Sequence, residues 1–173
     1  MLKVIEMNEK DRGKELEIVK ILEENARISD SEIAQMVELD EKEVKGIIAE
    51  LEHRGIIRGY KAVVNHDKAG IEIVQAIIDL KVSPERNMGY DAIAERIARF
   101  PEVKSVRLVS GEYDLSVLVS GKTMHDVAYF VAEKIAPLEH VRNTVTHFLL
   151  KTYKENGEIY GEEEKGKRLA VTL

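Results

Sequence analysis

Two sets of side chains in this 173-residue sequence have the types and spacing to do chemistry. The first is basic. Lys42 and Lys45 stand three residues apart, followed by Arg54, Arg58 and Lys61. Three apart is one face of a helix, so both ammonium groups can reach the same partner, such as nucleic-acid phosphates or base edges. Ser29 and Ser31 lie upstream, where a helix start would offer donors to a phosphate. The second set is Val109-Ser110-Gly111-Glu112-Tyr113-Asp114. Gly111 permits a tight turn between two strands, and Asp114 can bond the turn backbone. A solvated charged face and an ordinary turn would carry the same residues. The elements that position them must decide.

The basic set lies in ISDSEIAQMVELDEKEVKGIIAELEHRGIIRGY, residues 28–60. Ser29 with Glu32, and Asp40 with Glu43, have capping-box spacing, so each pair predicts a helix start. Ile33, Ala34 and Val37 follow the first cap. Val44, Ile47, Ile48 and Leu51 follow the second and form one apolar stripe. Gly55 ends the second helix, and Ile56–Val64 begins as a strand. Two short helices joined by a turn, the second with a free polar face, make a helix-turn-helix, whose second helix can enter a major groove. An ordinary helical hairpin in a core fits the same spacing. Residues 11–25 predict a helix packed behind these two, with Leu16, Ile18, Val19 and Leu22 on its apolar face.

The turn-rich run Asn65–Gly70 predicts a linker. The expected domains are 1–62, a linker over 63–71, a second domain over 72–155 and a tail over 156–173. From Glu72 the apolar period becomes two. The second domain then reads as a strand through Val82, a helix over Asn87–Phe100, strands over Val103–Ser110 and Asp114–Ser120, a helix over Thr123–Ile135 and a strand over Val141–Lys151. Residues 97–104 (IARFPEVK) echo residues 135–142 (IAPLEHVR) at an offset of 38. A doubled β-α-β gives a ferredoxin-like βαββαβ sandwich, and the whole chain is of the α+β class. With helices on one face only, the other sheet face should be polar. Ile73 and Ile77 cannot share a face with Val74 and Ile78, and Leu118 opposes Val117 and Val119. Those apolar residues need a cover, most simply a second copy of the sheet, so a homodimer is expected. In the tail, Asn156-Gly157 is a turn pair. Residues 162–168 are a charge run, and Leu169, Val171 and Leu173 alternate as an edge strand would.

Composition narrows the function classes. There are no cysteines, so disulfides and thiolate metal sites are excluded. His53, His66, His125, His140 and His147 show no ligand spacing, and neither a phosphate-cradling glycine loop nor a nucleophile elbow is present. No catalytic residue, metal or cofactor is therefore expected. No apolar run approaches the ~20 residues of a membrane span, and the first ten residues lack a signal-peptide core, so the cytoplasm is expected. Net charge is −6. Residues 1–65 hold 11 Lys and Arg against 15 Asp and Glu, a net of −4. A DNA contact must therefore be concentrated on one face or repeated over several copies.

The stretch ARISDSEIAQMVELDEKEVKGIIAELEHRGIIRGYKAVVN, residues 26–65, resembles the DNA-binding segment of the Lrp/AsnC (feast/famine) transcription regulators. The resemblance rests on Arg27-Ile28-Ser29, Ile33-Ala34, Leu39, Val44, Leu51-Glu52, Gly55-Ile56-Ile57, Gly59-Tyr60 and Asn65, and extends over roughly residues 12 to 155. It implies a winged helix-turn-helix followed by an oligomerising effector domain, and double-stranded DNA as a partner. Gly111-x-Tyr113-Asp114 resembles the family's effector loop, where amino acids or similar small metabolites bind between dimers. By the resemblance, backbone near Gly111 would hold a carboxylate and Asp114 an ammonium. Met124, Thr144, Thr146 and His147 would line the pocket, and higher oligomers would wrap or bridge DNA. The sequence departs from the family at Glu43, Gly46 and Glu50, where arginines are usual, and at Glu38, where glycine is usual. An effector-binding protein without tight DNA binding is one alternative. A decarboxylase of tetrapyrrole synthesis with this architecture is another.

Overall fold

The computed structural model describes residues 9–84 and 89–160, with the side chains of 9–11 left aside. The chain divides into two compact units, Met1–Ala62 and Val63–Leu173.

The first unit has three helices, α1 (Glu9–Glu24), α2 (Asp30–Val37) and α3 (Glu41–His53). Ser29 closes the predicted capping box of α2: its hydroxyl accepts from the Glu32 amide at 3.2 Å, and Glu32 Oε2 accepts from the Ser29 amide at 2.9 Å. At α3 the Glu43 carboxylate accepts from the Asp40 amide at 3.0 Å. The turn between them passes through Glu38 at φ 54° and ψ 49°. This is the left-handed conformation that a Cβ disfavours. Beyond α3, Gly55 at φ 68° lets the Ile56 amide donate to Leu51 O at 2.9 Å. Ile18, Ile33, Ala34, Val37, Val44 and Leu51 form the buried core. Leu16, predicted inward, is 57% exposed, while Ile21 joins Ile18, Val19 and Leu22 at the core. The helical period turns Leu16 away once Ile18 points in.

The predicted strand Ile56–Val64 forms no ladder among the described residues. A strand exists only where another extended backbone supplies partners, and no strand among the described residues pairs with the segment. Tyr60 anchors it locally, donating to Glu52 at 2.9 Å. The predicted linker is not all irregular. It holds one helical turn, α4 (His66–Ala69), capped by Asn65 and ended by Gly70 at φ 67°.

The second unit runs β1 (Val74–Val82), α5 (Asp91–Ala98), β2 (Val103–Leu108), β3 (Leu115–Gly121), α6 (Met124–Phe130) and β4 (Val141–Phe148). A π-helical turn over Val131–Ile135 continues α6. The sheet is antiparallel with order β2-β3-β1-β4, which is the ferredoxin-like arrangement expected from the repeat. Ala76, Ile78, Leu80 and Val82 turn to the core with Leu115, Val117 and Val119, against Ile93 and Ile97 of α5 and Val127 and Phe130 of α6. Phe100 and Phe130 meet edge to face at 5.5 Å. The other sheet face carries Ile77, paired in register with Leu118 on one side and His147 on the other. The chain goes on to a hairpin, β5 (Lys154–Glu155) and β6 (Glu158–Ile159). Asn156 and Gly157 turn it with φ of 47° and 90°, the double positive φ of a type I′ turn. The charge run and the expected edge strand at Leu169–Leu173 lie outside the described residues.

Candidate nucleic-acid interface and effector loop

The exposed side of α3 carries Lys42 and Lys45 in its first half, beside Gly46 and Ala49. Burial of Val44 and Leu51 fixes this orientation, because the stripe that packs inward sets the face left outside. Among the described residues neither lysine has a hydrogen bond or ion pair. Both ammonium groups keep all their donors. Arg58 and Lys61 are also exposed, and the Arg58 guanidinium lies over Gly55. Ser31 is exposed in the first turn of α2.

Two of the basic set's expected partners are committed elsewhere. Arg54 forms a two-pronged pair with Glu15 of α1, at 2.9 and 3.2 Å. That hydrogen-bonded carboxylate raises the Arg54 pKa further above its ordinary value. The arginine ties the end of α3 to α1 and is not a ready phosphate donor. Ser29 likewise gives its hydroxyl to the cap, accepting from the Glu32 amide and donating to Glu32 Oε2 at 2.6 Å. The same contact holds the Glu32 carboxyl below its ordinary range.

The loop between β2 and β3 is closed by Asp114. Its Oδ2 accepts from the Val82 amide at 2.9 Å, and its Oδ1 lies 3.3 Å from Lys81 Nζ. The Asp114 amide donates to Leu80 O, and its carbonyl accepts from the Val109 amide, each at 2.9 Å. Lys81 also donates to Glu112 O at 2.8 Å. The Val82 hydrogen bond, with help from Lys81 and Tyr90 and against burial, holds the Asp114 carboxyl below the ordinary aspartate range. The expected bond to the turn's own backbone is thus replaced by a clasp to β1. Gly111, at φ 150°, and Glu112 are exposed at the tip, and Tyr113 is half-buried. Lys81 was not singled out in the sequence. Its only signal was its outward place in the β1 alternation.

One chain does not gather the rest of the expected pocket. Thr144 and Thr146 pair with Leu80 and Ile78, on the helix-facing side of the sheet. His147 is on the opposite side, with Nε2 3.3 Å from Asp79 Oδ2. Met124 begins α6, just after the end of β3 remote from Asp114. Seven residues of strand at about 3.3 Å each put roughly 20 Å between that end and the loop.

Comparison with known proteins agrees with this division. Residues 11–58 match the family profile described as winged helix-turn-helix DNA-binding, and residues 75–159 match the Lrp/AsnC ligand binding domain. The chain is 47% identical over 160 residues to YugG of Bacillus subtilis, named as an uncharacterized HTH-type transcriptional regulator, covering 92% of this chain and 96% of the relative. It is 30% identical to the HTH-type transcriptional regulator Ptr1 of Methanocaldococcus jannaschii, covering 84% and 95%. Among solved structures, the NMB0573/L-Met complex from Neisseria meningitidis superposes with a TM-score of 0.64 at 24% identity, covering 82% and 91%. E. coli AsnC superposes with a TM-score of 0.61 at 19% identity, covering 87% and 97%. No described helix is long and apolar enough to cross a membrane.

Proposed function

Because this chain belongs to the Lrp/AsnC family of helix-turn-helix transcription regulators, we propose that Lys42 and Lys45 of α3 meet duplex DNA in the major groove. Ser31, Arg58 and Lys61 contact the flanking phosphates, while Arg54 and Ser29 hold the helices that present them. The observation that carries this reading is the pair of exposed ammonium groups on the outer face of α3, neither with a hydrogen bond or ion pair among the described residues. The unit is acidic as a whole, so several copies act together on one DNA. Two chains pair through the open sheet face, where Ile77 and Leu118 need a cover, and present two α3 helices about one helical turn apart. Dimers assemble further into higher oligomers. The chain works in the cytoplasm, where its DNA is.

The effector is a small metabolite of the amino-acid class, bound at the Gly111 tip between dimers. A Neisseria meningitidis protein of the same fold was solved with L-Met, which supports that ligand class. The exposed backbone of the loop receives the carboxylate. Asp114 positions the loop, because Val82 and Lys81 already engage its carboxylate. Met124, Thr144, Thr146 and His147 reach the same ligand only if neighbouring copies supply them. The ligand alters DNA binding only through unequal affinity for two assembly states. The decarboxylase reading falls with the family assignment, since these proteins are regulators.

Fluorescence anisotropy with a duplex from the chain's own upstream region tests the proposal. Saturable binding with a steep salt dependence is expected. Replacing Lys42 and Lys45 by alanine should weaken it by about 10-fold or more and lower the salt slope by about 2. Binding unchanged in that variant would refute the assigned face. No binding by the wild type at low salt would favour an effector-binding protein without tight DNA contact.

A further inference from the structure

The open face of the sheet is apolar at its middle, yet it carries a carboxylate and an imidazole there. Ile77 of β1 lies between Leu118 of β3 and His147 of β4. The next row sets Asp79 between Ser116 and Val145. His147 leans diagonally across β1, with Nε2 3.3 Å from Asp79 Oδ2. The other charged groups in the paired rows of this face are Lys81 of β1 and Arg107 of β2; β3 contributes none, and β4 adds only the neutral Asn143. Lys81 is engaged by Glu112 O and Asp114, and Arg107 donates to Ser105 Oγ at 3.0 Å. Among the described residues, His147 is thus the one group that meets the Asp79 carboxylate. In the single chain the Asp79 side chain is 26% exposed and that of His147 57%, so both still reach water.

We propose that the His147–Asp79 pair makes the pairing of two chains proton-dependent, with the dimer tightening as His147 becomes charged. This rests on the sheet-to-sheet pairing proposed above. A second sheet laid over Ile77 and Leu118 also covers the adjoining Asp79 and removes its remaining water. A twofold interface does this to both copies at once. With His147 protonated, each buried pair has no net charge. With His147 neutral, each copy brings an uncompensated carboxylate into an apolar interface, which is costly. In the single chain the same two groups are solvated, and the proton between them matters little. The dimer therefore holds the His147 proton more tightly than the monomer does, and pairing weakens as pH rises through the range in which histidine titrates. This assigns His147 to the pairing face rather than to the effector pocket.

Fluorescence-detected sedimentation of the full-length chain, labelled at its N-terminal amine and diluted from micromolar to picomolar, tests it between pH 5.5 and pH 8.5. The dissociation constant of the dimer should rise by about 10-fold or more across that range, with the uptake of up to about two protons per dimer, one for each copy. His147→Gln keeps a donor for Asp79 and cannot be charged, so its dimer should dissociate equally at every pH in the range. Asp79→Asn should reverse the sign, because a charged His147 is then buried without a counterion beside Lys81 and Arg107, and its dimer should weaken as pH falls. A wild-type dimer with the same dissociation constant at every pH, or a gain at acid pH that survives in His147→Gln or Asp79→Asn, would overturn the proposal and leave the sheet-to-sheet pairing standing. A wild type that stays monomeric at micromolar concentration at every pH would overturn the pairing itself, and this inference with it.

Discussion

The turn between α2 and α3 and the loop between β2 and β3 each join two elements with a few residues, and they use their polar side chains differently. Around the first, Ser29, Glu43 and Arg54 hold the helices, while Lys42 and Lys45 stand outside with no hydrogen bond or ion pair among the described residues. In the second, the charged residue most suited to meet a ligand, Asp114, is itself the clasp that fixes the loop to β1. A charged side chain inside a recognisable motif can meet a partner only if it has hydrogen-bonding capacity left. The helical unit separates those two tasks among residues, whereas in the loop the clasp to β1 takes up the Asp114 carboxylate.

The largest effect should come from the core beneath the helical unit. Leu51 is 1% exposed and packs α3 onto its neighbours. Leu51→Ala should destabilise that unit by about 2–5 kcal/mol, seen as an early first transition in urea unfolding, with DNA binding lost alongside it. The separation of tasks is tested next by Arg54→Ala against Lys42→Ala. The lysine variant should lose DNA affinity by several-fold with an unchanged melting temperature, while the arginine variant should melt lower because Glu15 loses its partner. An Arg54→Ala protein that melts normally and loses the salt slope of one phosphate contact would break the comparison.

The loop is probed through pH. The Asp114 carboxyl is held below its ordinary value of 3.8, so the folded state favours the charged form. The stability it contributes is complete above that value and is lost as pH falls through the lowered folded pKa. In urea unfolding from pH 7 to pH 2, the wild type should exceed Asp114→Asn at neutral pH, and the gap should close only in the acid window below 3.8. A gap that is the same at every pH would mean that shape, not charge, fixes the loop. The smallest effect belongs to the turn itself. Glu38→Gly should relieve the left-handed backbone at φ 54° and raise stability by up to about 1 kcal/mol, measured by thermal unfolding, with DNA affinity unchanged.

Much of this arrangement was legible in the chain. Ser29 with Glu32 and Asp40 with Glu43 announced two helix starts, Gly55 an end, and Asn156-Gly157 a hairpin, because caps and turns act over three or four residues. The alternation around Ile78 gave a strand and the need for a second sheet face. It could not show which of Ile77 and Ile78 pointed inward, since both parities were apolar. Leu16 was misplaced for a related reason: α1 has apolar residues on more than one side, and only packing against α2 and α3 chose among them.

What the sequence determined by itself was the local grammar, the doubled β-α-β order and a pair of lysines on one face of a helix. The tertiary structure decided which charged groups were still available. Arg54 meets Glu15 across 39 residues and Lys81 meets Asp114 across 33, while Lys42 and Lys45 have no hydrogen bond or ion pair among the described residues. Periodicity and spacing report how a segment presents its side chains, whereas the partner of a charge depends on where distant backbone arrives once the core has closed.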